Sequence, residues 1–491
     1  MNEATQIEHA DGRVELREDV AASLESSPIF NHDLAPTRVS QRTWTTYTFA
    51  ALWISMAHCI PTYKMASGLV DPKIGLNWWQ ALLTILVGNL IVLLPILLNS
   101  HAGTKYGIPF PVFARASYGT FGANVPAVMR ALVACGWFGI NAWIGGQALQ
   151  TFFRSLSPSW PTLLGTSAIG GYLPTEWVSF AIFWAINILI VVRGMDLLRR
   201  VENLAAPFVL VMTAILVAWA VHAAYAKGHG LGPIFESKTK FASAGAFWKV
   251  FAPSVTAMVG FWATLSLNMP DFTRFGRSQR EQAIGQVVAL PTTMTVFAAM
   301  GVVITSASAV IYGEEIWDPV ALVGHFPSRV LVGIAMFTVV VATLSVNIAA
   351  NVVSPANDFA NLAPKHITFK MGGIATGVIG VLMMPWKLMA DPRGYIFDWL
   401  VGYSGGLGSI AGVLVVDYWI VRKKKLSLAD LYRPGGEYPN VNWAGVVATG
   451  VGCFLAWIGL VVHFLRPMFD YAWFVGALGA GLTYWIWKRA K

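Results

Sequence analysis

Residues 131–149 read A-L-V-A-C-G-W-F-G-I-N-A-W-I-G-G-Q-A-L. The stretch is apolar enough to lie in a bilayer, yet it carries Trp137 and, four residues on, Asn141. Four residues is about one helical turn, so the indole and the carboxamide share a face. An indole offers a flat surface for stacking, and a carboxamide offers both donors and acceptors. Together they suit a flat, polar, uncharged ring. Two further apolar stretches, around Trp262 and Asn351, repeat that chemistry.

Outward from this stretch, the composition sets the class. The 491 residues are 56% hydrophobic and only 12% charged, whereas soluble chains carry about 25% charged residues. Mean hydropathy is +0.57. Apolar runs of membrane-crossing length recur from end to end, so the chain is expected to cross a bilayer many times. Several of the 21 Trp stand near segment ends, as an interfacial belt would place them; Trp137 and Trp262 stand mid-segment and need another reason. Cys59, Cys135 and Cys453 all fall inside apolar runs, with no metal-ligating or disulfide spacing. Residues 1–40 are polar and acidic, without the apolar core of a signal peptide. No phosphate-binding loop, dinucleotide fingerprint or nucleophile elbow is present, and no enzyme, cofactor or nucleic-acid partner is expected.

Twelve spans are expected, at about residues 47–70, 78–98, 125–152, 177–192, 205–224, 247–269, 283–306, 330–353, 372–389, 396–420, 444–464 and 471–487. Residues 100–119, rich in Gly and Pro, read as an ordered loop or short interfacial helix. With an even number of spans both termini lie on one side. Loops on that side hold 20 Lys and Arg, among them Arg199, Arg200, Arg422, Lys423, Lys424 and Lys425, against 8 on the other, including Lys238 and Lys240. The positive-inside rule therefore places both termini in the cytoplasm and accounts for the net charge of +9. The lipid bilayer of the plasma (inner) membrane is the expected setting, with a monomer as the expected unit.

Span 1 is interrupted at His58-Cys59-Ile60-Pro61, because proline lacks an amide proton and crowds the preceding turn. Span 6 is interrupted around Gly260-Phe261-Trp262 and ends at Asn268-Met269-Pro270-Asp271. A break at bilayer depth is tolerated where backbone faces protein or a water-filled cavity. The two breaks are five spans apart, and so are Trp137/Asn141 in span 3 and Ser345/Asn351 in span 8. Interrupted segments at matching positions of two halves point to a transporter site at the midplane. The expected organisation is an N-terminal tail (1–46), two inverted five-helix repeats (47–224 and 225–420), a basic cytoplasmic loop (421–443), and two appended spans with a short C-terminal tail (444–491).

Trp137 and Trp262 have the ordinary alternative of lipid-facing or packing tryptophans; their neighbours Gly, Asn and a suspected cavity favour stacking on a ring from both faces. Asn141, Asn347 and Asn351 have the alternative of gluing helices together, at about 0.6 kcal/mol per bond. The functional alternative is pairing with imide or urea edges. Ser55, His58, Ala342 and Ser345 offer an oxygen cage for Na⁺ next to the first break, or His58 is a titratable group in the pathway. Lys64 and Asp271, just beyond the breaks, are expected to snorkel to the interface rather than pair.

The stretches S-H-A-G-T-K-Y-G-I-P-F-P-V-F-A-R-A-S-Y-G, G-W-F-G-I-N-A-W-I-G-G, F-W-A-T-L-S-L-N-M-P-D-F-T-R-F, S-V-N-I-A-A-N-V-V-S-P-A and M-M-P-W-K-L-M resemble the nucleobase–cation symporter-1 family, which includes allantoin, uracil and hydantoin permeases. The resemblance runs from about residue 41 to 487. It implies an all-α, LeuT-like fold of five-plus-five inverted repeats with two extra helices, working by alternating access. It implies that Trp137 and Trp262 sandwich the ring, that Asn141 and Asn351 contact its edges, and that Cys59 and Phe261 line the pocket, Phe261 narrowing it where relatives have Gly. It places a Na⁺ site at Ser55, His58, Ala342 and Ser345, but a hydroxyl ligand of that site is replaced by Val346. Hard cations want oxygen ligands, so H⁺ is favoured as the coupling ion, with Na⁺ the alternative. The expected function is cation-coupled import of a planar neutral nucleobase or ureide such as allantoin or uracil. The alternatives are a non-translocating receptor or sensor on the same fold, or a symporter for hydantoin, cytosine or amino acids. An amino acid would need paired charges, which the Trp137 region lacks.

Overall fold

A computed structural model describes residues 5–193, 211–229, 232, 234–235 and 241–490. The first part of span 5, and Arg199, Arg200, Lys238 and Lys240 of the charge count, lie outside the described residues. Among the described residues seven helices are long and apolar enough to cross a membrane. They correspond to spans 2, 3, 4, 7, 8, 10 and 11. The other five expected spans are the broken helices 1 and 6, the shorter helices Val211–Lys227 and Phe369–Leu382, and Ala472–Arg489.

The breaks fall where the sequence places them. Span 1 is Thr46–Ala57 followed by Ile60–Val70. His58 and Cys59 between them leave helical geometry, and Pro61 sits in the first turn of the second half, where its missing N–H costs nothing. Span 6 is Ala244–Phe261 followed by Ala263–Asn268, with Trp262 at the joint. Span 8 has a lighter interruption, between Arg329–Asn351 and Val353–Leu362.

Two boundaries differ from expectation. Span 2 runs on through the supposed loop as Trp78–Tyr106 and stops at Gly107, whose φ of +67° suits glycine. Its extra turns pack on the end of span 6: a Cβ at Gly103 would collide with Thr273 and Pro270. A short buried helix, Phe110–Tyr118, then follows. Span 9 ends early, at Leu382, because Pro385 disfavours a helical residue before it and Met384 takes φ +52°.

Spans 1, 2, 6 and 7 pack on one another, as do spans 3, 4, 8 and 9. Spans 10, 11 and 12 form a third group. Within the second group spans 3 and 9 approach so closely that a Cβ on Gly139 would overlap the Gly380 carbonyl.

The expected polar tail is a folded cap. Gln6–Glu8 and Val14–Leu16 pair as an antiparallel hairpin, the only strands among the described residues. Gln6 bonds the backbone of Leu426 and Leu428, and the Ser27 hydroxyl donates to the Tyr432 carbonyl. Arg42, fully inside, donates to the carbonyls of Val14, Thr37, Thr104 and Lys105. Burial pushes its guanidinium down to about 10, so it stays charged at neutral pH. The segment looks featureless in sequence because its anchors are polar bonds to distant loops, which leave no periodic pattern.

Candidate functional site

The two helix groups meet around a narrow cavity lined by spans 1, 3, 6 and 8. Span 1 contributes Met56 and Cys59 at its break, and span 6 contributes Phe261, Trp262, Thr264 and Leu265. Span 3 contributes Trp137 and Asn141; span 8 contributes Val346, Ala350 and Asn351. All six ring-binding residues expected from the sequence therefore share one lining. No charged side chain is on it.

The polar atoms are set by their neighbours. Asn141 donates to the Trp137 carbonyl at 3.0 Å, one turn back on its helix. Its Oδ1 is buried without a hydrogen-bond partner. Asn351 donates to Asn347 Oδ1 at 3.1 Å, and Asn347 donates onward to Asn187 Oδ1 at 3.1 Å. Asn351 thus gives one of its two amide N–H groups to the span 8–span 4 network. Trp262 Nε1 is a buried donor without a partner. The carboxamides of Asn141 and Asn351, the indole N–H of Trp262 and the Thr264 hydroxyl are polar groups of the residues on the lining.

The aromatic frame is fixed edge-on. Phe261 meets Trp137 at 5.2 Å between ring centroids and Trp262 at 4.9 Å, both T-shaped. Trp53 backs Trp262 at 5.2 Å. Trp137 Nε1 donates to the Tyr403 hydroxyl at 3.2 Å, and that hydroxyl donates to the Gly260 carbonyl at 2.7 Å. Tyr403 ties span 3 to the carbonyl freed near the span 6 break. Neither Tyr403 nor Thr264 was singled out from sequence. The signal for Tyr403 was present in Trp399 and Tyr403, one turn apart in a glycine-rich span.

The four expected ion ligands are spread differently. His58 and Ala342 line a second, largely apolar cavity, where His58 Nε2 lies 2.9 Å from Thr213 Oγ1 and the imidazole stands against Phe297. Cys59 lines both cavities. Ser55 and Ser345 line neither, and Val346 faces the ring cavity. Lys64 does not snorkel. It is 2% exposed and ion-paired to Asp318, with Trp317 5.1 Å from its ammonium. Asp271 is also buried and accepts from the Phe110 amide at 2.9 Å. Each charge has a partner far away in sequence, which removes the need to reach water.

Comparison with known proteins decides the family. The profile of permeases for cytosine/purines, uracil, thiamine and allantoin matches residues 36–476. The chain belongs to this permease family. It is 42% identical to the allantoin permease of Bacillus subtilis over 470 residues, 95% of this chain and 94% of that one. It is also 42% identical to a purine-uracil permease of Arabidopsis thaliana over 480 residues, 93% of this chain and 77% of that one. The solved structure of Mhp1, a nucleobase-cation-symport-1 family transporter with bromovinylhydantoin bound, superposes with a TM-score of 0.75 at 26% identity, covering 94% of this chain and 96% of that one. The permease therefore has the LeuT-like architecture of paired five-helix repeats, is a multi-pass membrane transporter, and is not an enzyme.

Proposed function

We propose that this permease imports a planar, neutral ureide or nucleobase of the allantoin or uracil kind, held between Trp137 and Trp262. One observation carries this: an uncharged cavity is lined by two carboxamides and two indoles, and the Trp262 N–H and the Asn141 oxygen are buried without a partner. A urea or imide edge supplies N–H donors for Asn141 and Asn351 and a carbonyl for Trp262 or Thr264. Leaving any of these buried groups unpaired is costly, which gives discrimination against rings that lack the edge. Phe261 and Cys59 limit the ring's size.

Protons are the proposed coupling ion. Val346 supplies no oxygen, and Ser55 and Ser345 stand apart from the cavity that His58 and Ala342 line. Na⁺ coupled through those four residues is the alternative. Both termini are proposed to face the cytoplasm of a plasma membrane, with repeats at 47–224 and 225–420 and a monomer as the working unit. Fluorescence titration of the purified permease against allantoin, uracil, cytosine and hydantoin tests the substrate class. Saturable quenching by allantoin or uracil is expected, and its loss in Trp137→Ala and Trp262→Ala. Affinity equal to wild type in either variant would refute the sandwich.

A further inference from the structure

Asn351 lines the ring cavity, but what holds its carboxamide lies outside that cavity. Two more amides stand in line behind it. Asn351 donates to Asn347 Oδ1 at 3.1 Å, Asn347 donates to Asn187 Oδ1 at 3.1 Å, and Asn187 donates to the Phe183 carbonyl at 2.8 Å. Asn347 also donates to the Phe138 carbonyl at 3.4 Å. Asn187 and Asn347 have no exposed surface, and Asn351 retains 8%. The chain of amides thus runs from span 8 to span 4 and touches span 3 next to Trp137.

The far end is fixed by packing. Phe183 and Asn187 lie one turn apart on span 4, so the Asn187 amide closes on a carbonyl of its own helix. Span 4 is in turn pressed against span 3. A Cβ on Gly145 would overlap the Phe183 ring, and one on Gly146 would overlap the Phe180 backbone. The two glycines hold the helices in close contact there, and Asn187 keeps a fixed place relative to span 3.

A carboxamide has a donor end and an acceptor end, and its hydrogen-bond network decides which way round it stands. Here the direction is set, because a backbone carbonyl only accepts. Turning Asn187 over would put its oxygen against the Phe183 carbonyl. Turning Asn347 over would put its oxygen against Asn187 Oδ1 and the Phe138 carbonyl. Turning Asn351 over would put its oxygen against Asn347 Oδ1. Each reversal leaves buried acceptors facing one another without a donor, which is costly in a medium of low dielectric. The direction therefore passes from the Phe183 carbonyl along the line to Asn351. Its Nδ2 is held toward Asn347 and its Oδ1 away from it. Asn141 is directed in the same manner, but in one step, by the Trp137 carbonyl.

We infer that Asn187 is a positioning residue for the ring site: through Asn347 it fixes which way round Asn351 meets the ring. The inference rests on the ring site proposed above. Neither Asn187 nor Asn347 is on the lining of that cavity, so Asn187 reaches a ligand only through the relay. Two carboxamides with set directions favour a ring that brings two ring N–H groups, as uracil does. They disfavour cytosine, in which one of those N–H groups is replaced by a bare nitrogen. A carboxamide free to turn over would accept either ring. Holding spans 3, 4 and 8 together needs the same bonds but not their direction, and selectivity reads the direction.

The test titrates purified permease with uracil and with cytosine, and fluorescence quenching gives the ratio of the two dissociation constants. The wild type is expected to favour uracil by about tenfold or more, roughly the worth of one buried hydrogen bond. Asn187→Leu, of similar size, removes the acceptor at the end of the relay, and the ratio is expected to fall about tenfold, toward parity. Asn187→Asp, whose acid form carries an acceptor and a donor in the same places, is expected to restore it. Should Asn187→Leu not fold, Asn187→Ser keeps the bond to the Phe183 carbonyl but not the reach to Asn347, and the same fall is expected. An equal loss of affinity for both rings, with the ratio unchanged, would make Asn187 a structural residue and overturn the relay. A ratio not restored in Asn187→Asp overturns it too. Absence of any preference for uracil in the wild type overturns the ring-site reading itself.

Discussion

Tyr403→Phe removes a single oxygen and breaks two hydrogen bonds. Trp137 Nε1 loses its acceptor at 3.2 Å, and the Gly260 carbonyl loses its donor at 2.7 Å. Each bond contributes about 0.5–1.5 kcal/mol net, so the variant should be destabilised by about 1–3 kcal/mol. Ligand affinity responds to a different part of that loss. The indole is no longer held against the ring site, and binding must order it again, at about 0.5–1.5 kcal/mol for one side chain. At about 1.4 kcal/mol per tenfold, that weakens binding by roughly 2- to 12-fold. Thermal unfolding in detergent and calorimetric titration with allantoin or uracil measure the two effects separately. A Tyr403→Phe variant with unchanged melting temperature and unchanged affinity would refute the claim that Tyr403 positions the stacking indole.

Phe261→Gly removes the ring that meets both indoles, and competition assays should show relative affinity shifting toward 5-substituted, bulkier hydantoins; an unchanged ranking would mean Phe261 does not limit pocket size. Val346→Thr adds the missing hydroxyl, and vesicle uptake should gain a Na⁺ stimulation that wild type lacks; no gain would show that the ion site needs more than this ligand. Lys64→Met leaves Asp318 unpaired and frees the second half of span 1 on the side opposite the termini, so Cys59 should react faster with an impermeant thiol reagent added from outside; equal rates would exclude the Lys64–Asp318 pair as a closure of that side.

The parts of this molecule legible in sequence are those with local causes. Pro61 marks the first break because its chemistry acts within one turn. Trp137 and Asn141 share a face because helical geometry is fixed at that spacing. The positions of Trp262 and Asn351 followed from the five-span offset between halves. What was not legible depends on contacts between remote segments. Span 2 extends past its apolar run because Pro270 and Thr273 cover it. Lys64 and Asp271 stay buried because Asp318 and the Phe110 amide meet them. The N-terminal cap depends on Arg42 reaching carbonyls as far away as Thr104. Tyr403 and Asn187 show the same limit: each is an ordinary residue in an apolar span until its partners on other spans are known.

The most direct test of the ring sandwich is a structure of the permease with allantoin or uracil bound. The ring is expected between Trp137 and Trp262, with its N–H groups on the side-chain oxygens of Asn141 and Asn351 and a carbonyl toward Trp262 Nε1 or Thr264. A ring bound in the apolar cavity beside His58 and Phe297, with the Trp137–Trp262 space empty, would contradict it.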